Sequence, residues 1–121
     1  VTRYLTTEDL FDIAVELGSD VEVRDLGLLD GAAHRPAATV FGDDTYPDIH
    51  LKAAVLLESI VRGQPLTDGN ERLSWASTVV FLALNGIVVT APHDDAYDLV
   101  IAVAQGLRSP EDVAALLRDW C

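Results

Sequence analysis

The eleven residues GQPLTDGNERL, 63 to 73, bring together side chains suited to holding an anion. Asp68 is the kind of oxygen ligand that binds Mg²⁺, and a Mg²⁺ ion held this way bridges phosphate oxygens. Gly69 lets the backbone come close to a ligand, while Asn70 and Arg72 can donate hydrogen bonds to it. The loop opens onto an apolar stretch that reads as a helix. The first N–H groups of such a helix lack internal partners and point outward with the positive end of the dipole, so they attract phosphate. The same Asp-Gly-Asn run also serves an ordinary turn and helix cap. Both readings stand on these residues alone.

The elements that would position this loop are marked by caps and periodicity. Thr6-Thr7-Glu8-Asp9 is a capping-box pattern, followed by Leu10, Phe11, Ala14, Val15 and Leu17 and by Gly18 as a stop. Ser109-Pro110-Glu111-Asp112 opens a last helix with Val113, Leu116, Leu117 and Trp120 as its stripe. Helical spacing also predicts a helix between Pro47 and Gly63, through Ala53, Ala54, Leu57, Ile60 and Val61, and another between Pro92 and Gly106, through Tyr97, Val100, Ile101 and Ala104. LGLLDGAAHR suits a short helix interrupted by Gly31 and stopped before Pro36. TVFGDDTY, residues 39 to 46, suits a small exposed hairpin or flap around a Gly-Asp-Asp turn.

From Leu73 to Pro92 no residue is charged, a length that would span a bilayer. Asn85-Gly86 divides the run into a helix of about four turns and a short β-like piece, Ile87 to Thr90, and neither half could cross. LSWASTVVFLALNG is therefore expected to be the central helix of a bundle. The fold class expected is all-α: one domain, 1–121, a compact bundle of about six helices around a buried central helix with a small β flap.

Composition narrows the function. The formal net charge is −12, from 8 Lys and Arg against 20 Asp and Glu, which would repel nucleic acid and anionic lipid. Half of the residues are hydrophobic, enough to build a core in 121 residues. The one cysteine, Cys121, permits no internal disulfide, and VTRYLTTEDL carries no basic-then-apolar export pattern, so a reducing cytoplasm is expected. Direct nucleic-acid or membrane partners are not.

A helix, then QPLTDGNERL, then a long helix ending in LALNG resembles the Fic/Doc family, whose motif runs His-Pro-Phe-x-Asp-Gly-Asn-Gly/Lys-Arg. The YLTTEDL opening, RPAATVFGDDTYP and WASTVVFLALNGI resemble the Doc-type toxins, from end to end of the chain. Pro65, Asp68, Gly69, Asn70 and Arg72 match the motif. Gln64 stands where the family has its catalytic histidine, Leu66 replaces Phe, and Glu71 replaces Gly or Lys.

The resemblance implies ATP-dependent transfer of phosphate or AMP to a protein hydroxyl, such as a threonine of the translation factor EF-Tu, with translation inhibited as the outcome. It implies ATP and Mg²⁺ as cofactors, Asp68 as metal ligand, Gly69 and Asn70 as anion cradle, Arg72 as phosphate clamp, and the flap Val40 to Tyr46 as aligner of the target. It further implies a cognate antitoxin, a flexible segment that folds into a helix along a groove.

Gln64 cannot inherit the role of base, because a carboxamide does not accept a proton near neutral pH. Glu71 repels phosphate if it points inward and favours the helix start if it faces solvent. His34, His50 and His93 are candidate substitutes, each equally suited to a surface or helix end. Trp75 and Trp120 read as core and edge packing. Two other classes stay open beside an impaired transferase: a non-catalytic binding module that keeps the fold, and an unrelated helical adaptor.

Overall fold

The computed structural model describes residues 1–18 and 20–121. Six α-helices follow in order: α1 Thr7–Leu17, α2 Leu26–His34, α3 Ile49–Gly63, α4 Asn70–Leu84, α5 His93–Ala104 and α6 Pro110–Asp119. Between α2 and α3 come a 3₁₀ turn, Arg35–Ala37, and an antiparallel pair, β1 Thr39–Val40 and β2 Asp43–Asp44. The expected all-α bundle with a small β flap is what forms.

The caps act where the sequence places them. Thr6 and Ser109 each close a reciprocal box with the acidic residue three positions on, Asp9 and Asp112. These boxes satisfy orphan N–H groups with acceptors only three residues away, so local sequence suffices to specify them. Gly31 does not interrupt α2, which runs unbroken from an Asp25 cap to His34 and tightens into the 3₁₀ turn at Pro36. The hairpin turn is also different from expectation. Phe41 and Gly42, both at positive φ (53° and 85°), form the two-residue loop, and Asp43 and Asp44 belong to β2. Positive φ at both central residues gives a turn whose twist matches the flanking strands.

The innermost helix is α3 rather than α4. It packs against α2, α4, α5 and α6, and buries Ala53, Ala54, Val55, Leu56, Leu57, Ile60 and Val61. α4 lies against it, with Leu73, Phe81 and Leu82 turned inward and Val80 exposed. Ile87 to Thr90 forms no strand; Thr90 N–H donates to the Trp120 carbonyl at 2.7 Å, tying the segment to the end of α6. Trp75 and Trp120 meet edge to face at 6.1 Å, and Tyr4 stacks on Phe81 at 6.2 Å. Among the described residues no helix is long and apolar enough to cross a membrane.

Lys52 is buried in the first turn of α3, where Nζ donates to Asp44 Oδ2 at 3.0 Å and to the Pro36 carbonyl at 3.2 Å. Burial alone pulls the ammonium pKa down; the hydrogen bonds and negative charge of Asp44, with Tyr4 beside it, outweigh that and leave it raised. The charge is tolerated in the interior because it is paired and bonded. Arg35 holds the other foot of the hairpin, donating to Glu58 at 2.8 Å, Ser59 at 3.0 Å and the Tyr46 hydroxyl at 3.3 Å.

Asp48 caps α3, accepting from the Leu51 N–H at 3.1 Å and from Arg118 Nη2 at 2.7 Å, and so joins α3 to α6. Burial raises its pKa, but the hydrogen bonds from Arg118 and Leu51 prevail and the net shift is downward. A depressed carboxylate contributes stability that is present above its unfolded pKa, about 3.9, and lost as pH falls through the folded value. Thermal melts between pH 6 and pH 3 are expected to show the Asp48→Asn variant losing less stability on acidification than the parent chain. Parallel acid limbs would remove Asp48 as a contributor.

Candidate functional site

The loop Gln64 to Gly69 leaves the end of α3 and enters the start of α4. Gln64 caps α3 in the left-handed region, φ 57° and ψ 56°, and its N–H closes the last turn on Ile60 at 2.9 Å. Its side chain is exposed, and Nε2 donates back to the Val61 carbonyl at 3.1 Å. Gly69 caps α4 at φ 86°, and among the described residues no side chain bonds to the first N–H groups of the helix. That end therefore presents free donors and the positive dipole pole, the property an anion site needs.

Asp68, Gly69 and Arg72 converge on one cleft of about 50 Å³, with Asp20 and Val21 on its other wall. The positive φ at Gly69 favours glycine, and the Arg72 guanidinium packs closely over it, with Nη2 3.2 Å from where a Cβ would lie. The volume corresponds to a few water molecules. It admits one anionic group, and the remainder of a nucleotide would extend over the open surface. The cleft carries two carboxylates against one guanidinium. A phosphate would be repelled there without a divalent cation, whereas Mg²⁺ commonly binds through one or two carboxylates plus phosphate oxygens. Asp68 and Asp20 fit that donor set, and Asp20 has no place in the motif by which the loop is recognised.

Asn70 takes a different part from the one its type suggested. It is buried, with Oδ1 accepting from Leu66 N–H at 3.0 Å and Nδ2 donating to the Leu66 carbonyl at 2.9 Å. The carboxamide closes the loop on itself and shapes the cradle instead of lining the cleft. Asp68 Oδ1 also works locally, accepting from Gly69 N–H at 2.9 Å.

A second support, which no local motif announces, is the segment Glu22 to Asp25. It runs antiparallel to the loop through a bridge between Val23 and Leu66, with Thr67 N–H bonded to the Glu22 carbonyl at 2.9 Å. The N–H groups of Arg24 and Asp25 both donate to the Pro65 carbonyl, at 2.8 and 3.0 Å. No periodic pattern marks four residues of this kind, and their partners lie some forty positions away.

Glu71 is exposed and turns to another cleft, about 410 Å³, between α4 and α5, whose walls are Trp75, Ala76, Tyr97 and Val100 with Leu17 of α1. It does not line the cleft of Asp68 and Gly69. Arg72 lines both clefts, and His93 lines the larger one. His34 is exposed at the end of α2, against the Asp30 carbonyl at 2.8 Å, and His50 lies beside Asp48 in the first turn of α3, the end opposite Gln64. A third groove, about 420 Å³, runs between α2 and α3 from Arg35 and Glu58 to Gly63. The hairpin is fastened at Lys52, which by helix rise is roughly 16 Å along α3 from Gly63. The foot of the hairpin is thus tied near the start of α3, and the groove runs along α2 and α3 toward Gly63 at the head of the loop.

Residues 4–82 match the family model described as Fic/DOC family. The chain is also 42% identical over 123 aligned positions to Toxin Doc of Mycolicibacterium smegmatis (strain ATCC 700084 / mc(2)155), with 99% of this chain and 95% of that protein covered. The chain belongs to the Fic/Doc family, on its Doc branch.

Proposed function

We propose that the chain is the toxin of a toxin–antitoxin pair, built as an ATP-dependent transferase of phosphate or AMP to a protein hydroxyl and impaired in its proton-accepting step. The observation carrying this reading is the convergence of Asp68, Gly69 and Arg72 on one cleft at an uncapped helix start, with Gln64 at the head of the same loop. ATP, when bound, would supply the transferable group, and Asp68 would hold a Mg²⁺ that offsets the phosphate charge. Arg72 and the free N–H groups of α4 orient the phosphate, and Asn70 keeps the loop in the shape that points them there. A hydroxyl next to Gln64 is oriented by the carboxamide without losing its proton. The target, a translation factor such as EF-Tu, would lie along the hairpin and the α2–α3 groove to reach residue 64.

The apolar cleft between α4 and α5 suits a helical antitoxin segment that presents anchors at helical spacing. An excess of 20 acidic over 8 basic residues favours a segment of basic character. Gln64 also supports a second reading, a non-catalytic module that keeps the antitoxin groove and the anion site. Labelled ATP separates the two. Slow, Mg²⁺-dependent transfer of label to a translation factor is the expected result; saturable binding of ATP with no transfer above background establishes the second reading in its place.

A further inference from the structure

Arg24 holds three successive carbonyl oxygens. Its Nη2 donates to Gly63 at 2.9 Å, its Nε to Gln64 at 2.8 Å, and its backbone N–H to Pro65 at 2.8 Å. The first two oxygens belong to the two peptide units that flank the Gln64 α-carbon. Peptide units are planar, so holding an oxygen of each restrains φ and ψ at residue 64 and with them the direction in which its side chain departs. That conformation needs holding. Gln64 is left-handed at φ 57°, a region that residues with a Cβ seldom occupy, and the planar fork of a guanidinium is suited to two neighbouring oxygens in a way an ammonium is not. The last carbonyls of a helix also carry its negative pole, which favours a cation there. Arg24 is exposed and, among the described residues, takes part in none of the ion pairs, so its charge serves these oxygens.

We infer that Arg24 is the positioning residue for position 64, holding the backbone from which that side chain reaches the acceptor hydroxyl at the mouth of the loop. The purpose rests on the transferase reading above; the geometry does not. The test uses the full chain carrying Gln64→His, with and without Arg24→Gln, and follows the introduced imidazole by NMR through a pH titration alongside transfer kinetics. With Arg24 present, one set of imidazole signals is expected. Without it, the signals broaden or split, the titration midpoint changes, and kcat falls on the order of 10²-fold while KM for ATP stays within about twofold, as misdirection of one reacting group predicts. Arg24→Lys, with a single donor head, should recover only part of the loss. Unchanged imidazole signals and midpoint in a folded Arg24→Gln variant overturn the inference. Should that variant not fold, Arg24→Lys is read in the same way. If no chain transfers label, the transferase reading fails, and the NMR comparison still judges Arg24.

Discussion

The Gln64→His variant is expected to transfer label from ATP to its protein target about 10²–10⁴ times faster than the parent chain, the range by which a positioned general base accelerates a reaction. The parent carboxamide has two donors and an acceptor but no proton affinity at neutral pH, so the attacking hydroxyl must lose its proton to water. An imidazole with pKa about 6.5 accepts that proton directly. Position 64 is prepared for it. The backbone is already left-handed, the side chain is exposed at the mouth of the loop, and its hydrogen bond to the Val61 carbonyl is easily given up. Initial rates of label incorporation, with growth arrest on expression as the cellular counterpart, measure the effect. A variant that binds ATP as the parent does and gains no rate would place the defect elsewhere.

Glu71 is the obvious other place, and its position argues against it. The side chain is exposed and lines the α4–α5 cleft, apart from the cleft of Asp68 and Gly69, so solvent screens it from a bound phosphate. Adding Glu71→Lys to Gln64→His should therefore change the rate by no more than about fivefold, which corresponds to the upper end of a charge effect at an exposed helix start, about 1 kcal/mol.

What the sequence discloses here is what depends on near neighbours. Thr6 with Asp9 and Ser109 with Asp112 are reciprocal over three residues, and both helix starts follow from local sequence. The innermost helix was harder to identify. The uncharged run of α4 looked central, yet its Ser74 and Thr78 are buried because their hydroxyls bond back to carbonyls of the same helix, Glu71 and Ser74. α3 contains Lys52, which no hydropathy pattern places in a core; Asp44, the Pro36 carbonyl and the Tyr4 ring accommodate it, and all three arrive from outside the helix. The site divides in the same way. Residue types in the loop were readable, since they resemble a known motif, but the inward turn of Asn70 and the grip of Arg24 depend on tertiary packing.

Asn70→Ala is expected to destabilise the chain by about 2–4 kcal/mol, because it leaves the buried N–H and carbonyl of Leu66 without partners, each at about 1–3 kcal/mol. For a domain of this size that is a fall in Tm of roughly 6–16 °C. The Asp variant separates hydrogen bonding from packing, since it has the same shape. An aspartate at position 70 can still accept from Leu66 N–H, but in place of the Nδ2 donor it sets an oxygen against the Leu66 carbonyl. The charged form is disfavoured in the folded state, so its pKa is raised there and the destabilisation grows as pH rises from the unfolded value, about 3.9, through the folded one. Once protonated, the carboxyl can donate to the Leu66 carbonyl. The gap in Tm between Asn70→Asp and the parent should thus be small near pH 4 and widest at neutral pH, whereas the Asn70→Ala gap should hardly vary. A pH-independent gap in both variants would mean that the Asn70 carboxamide fills space without bonding the loop, and the shape of the anion cradle would then need another cause.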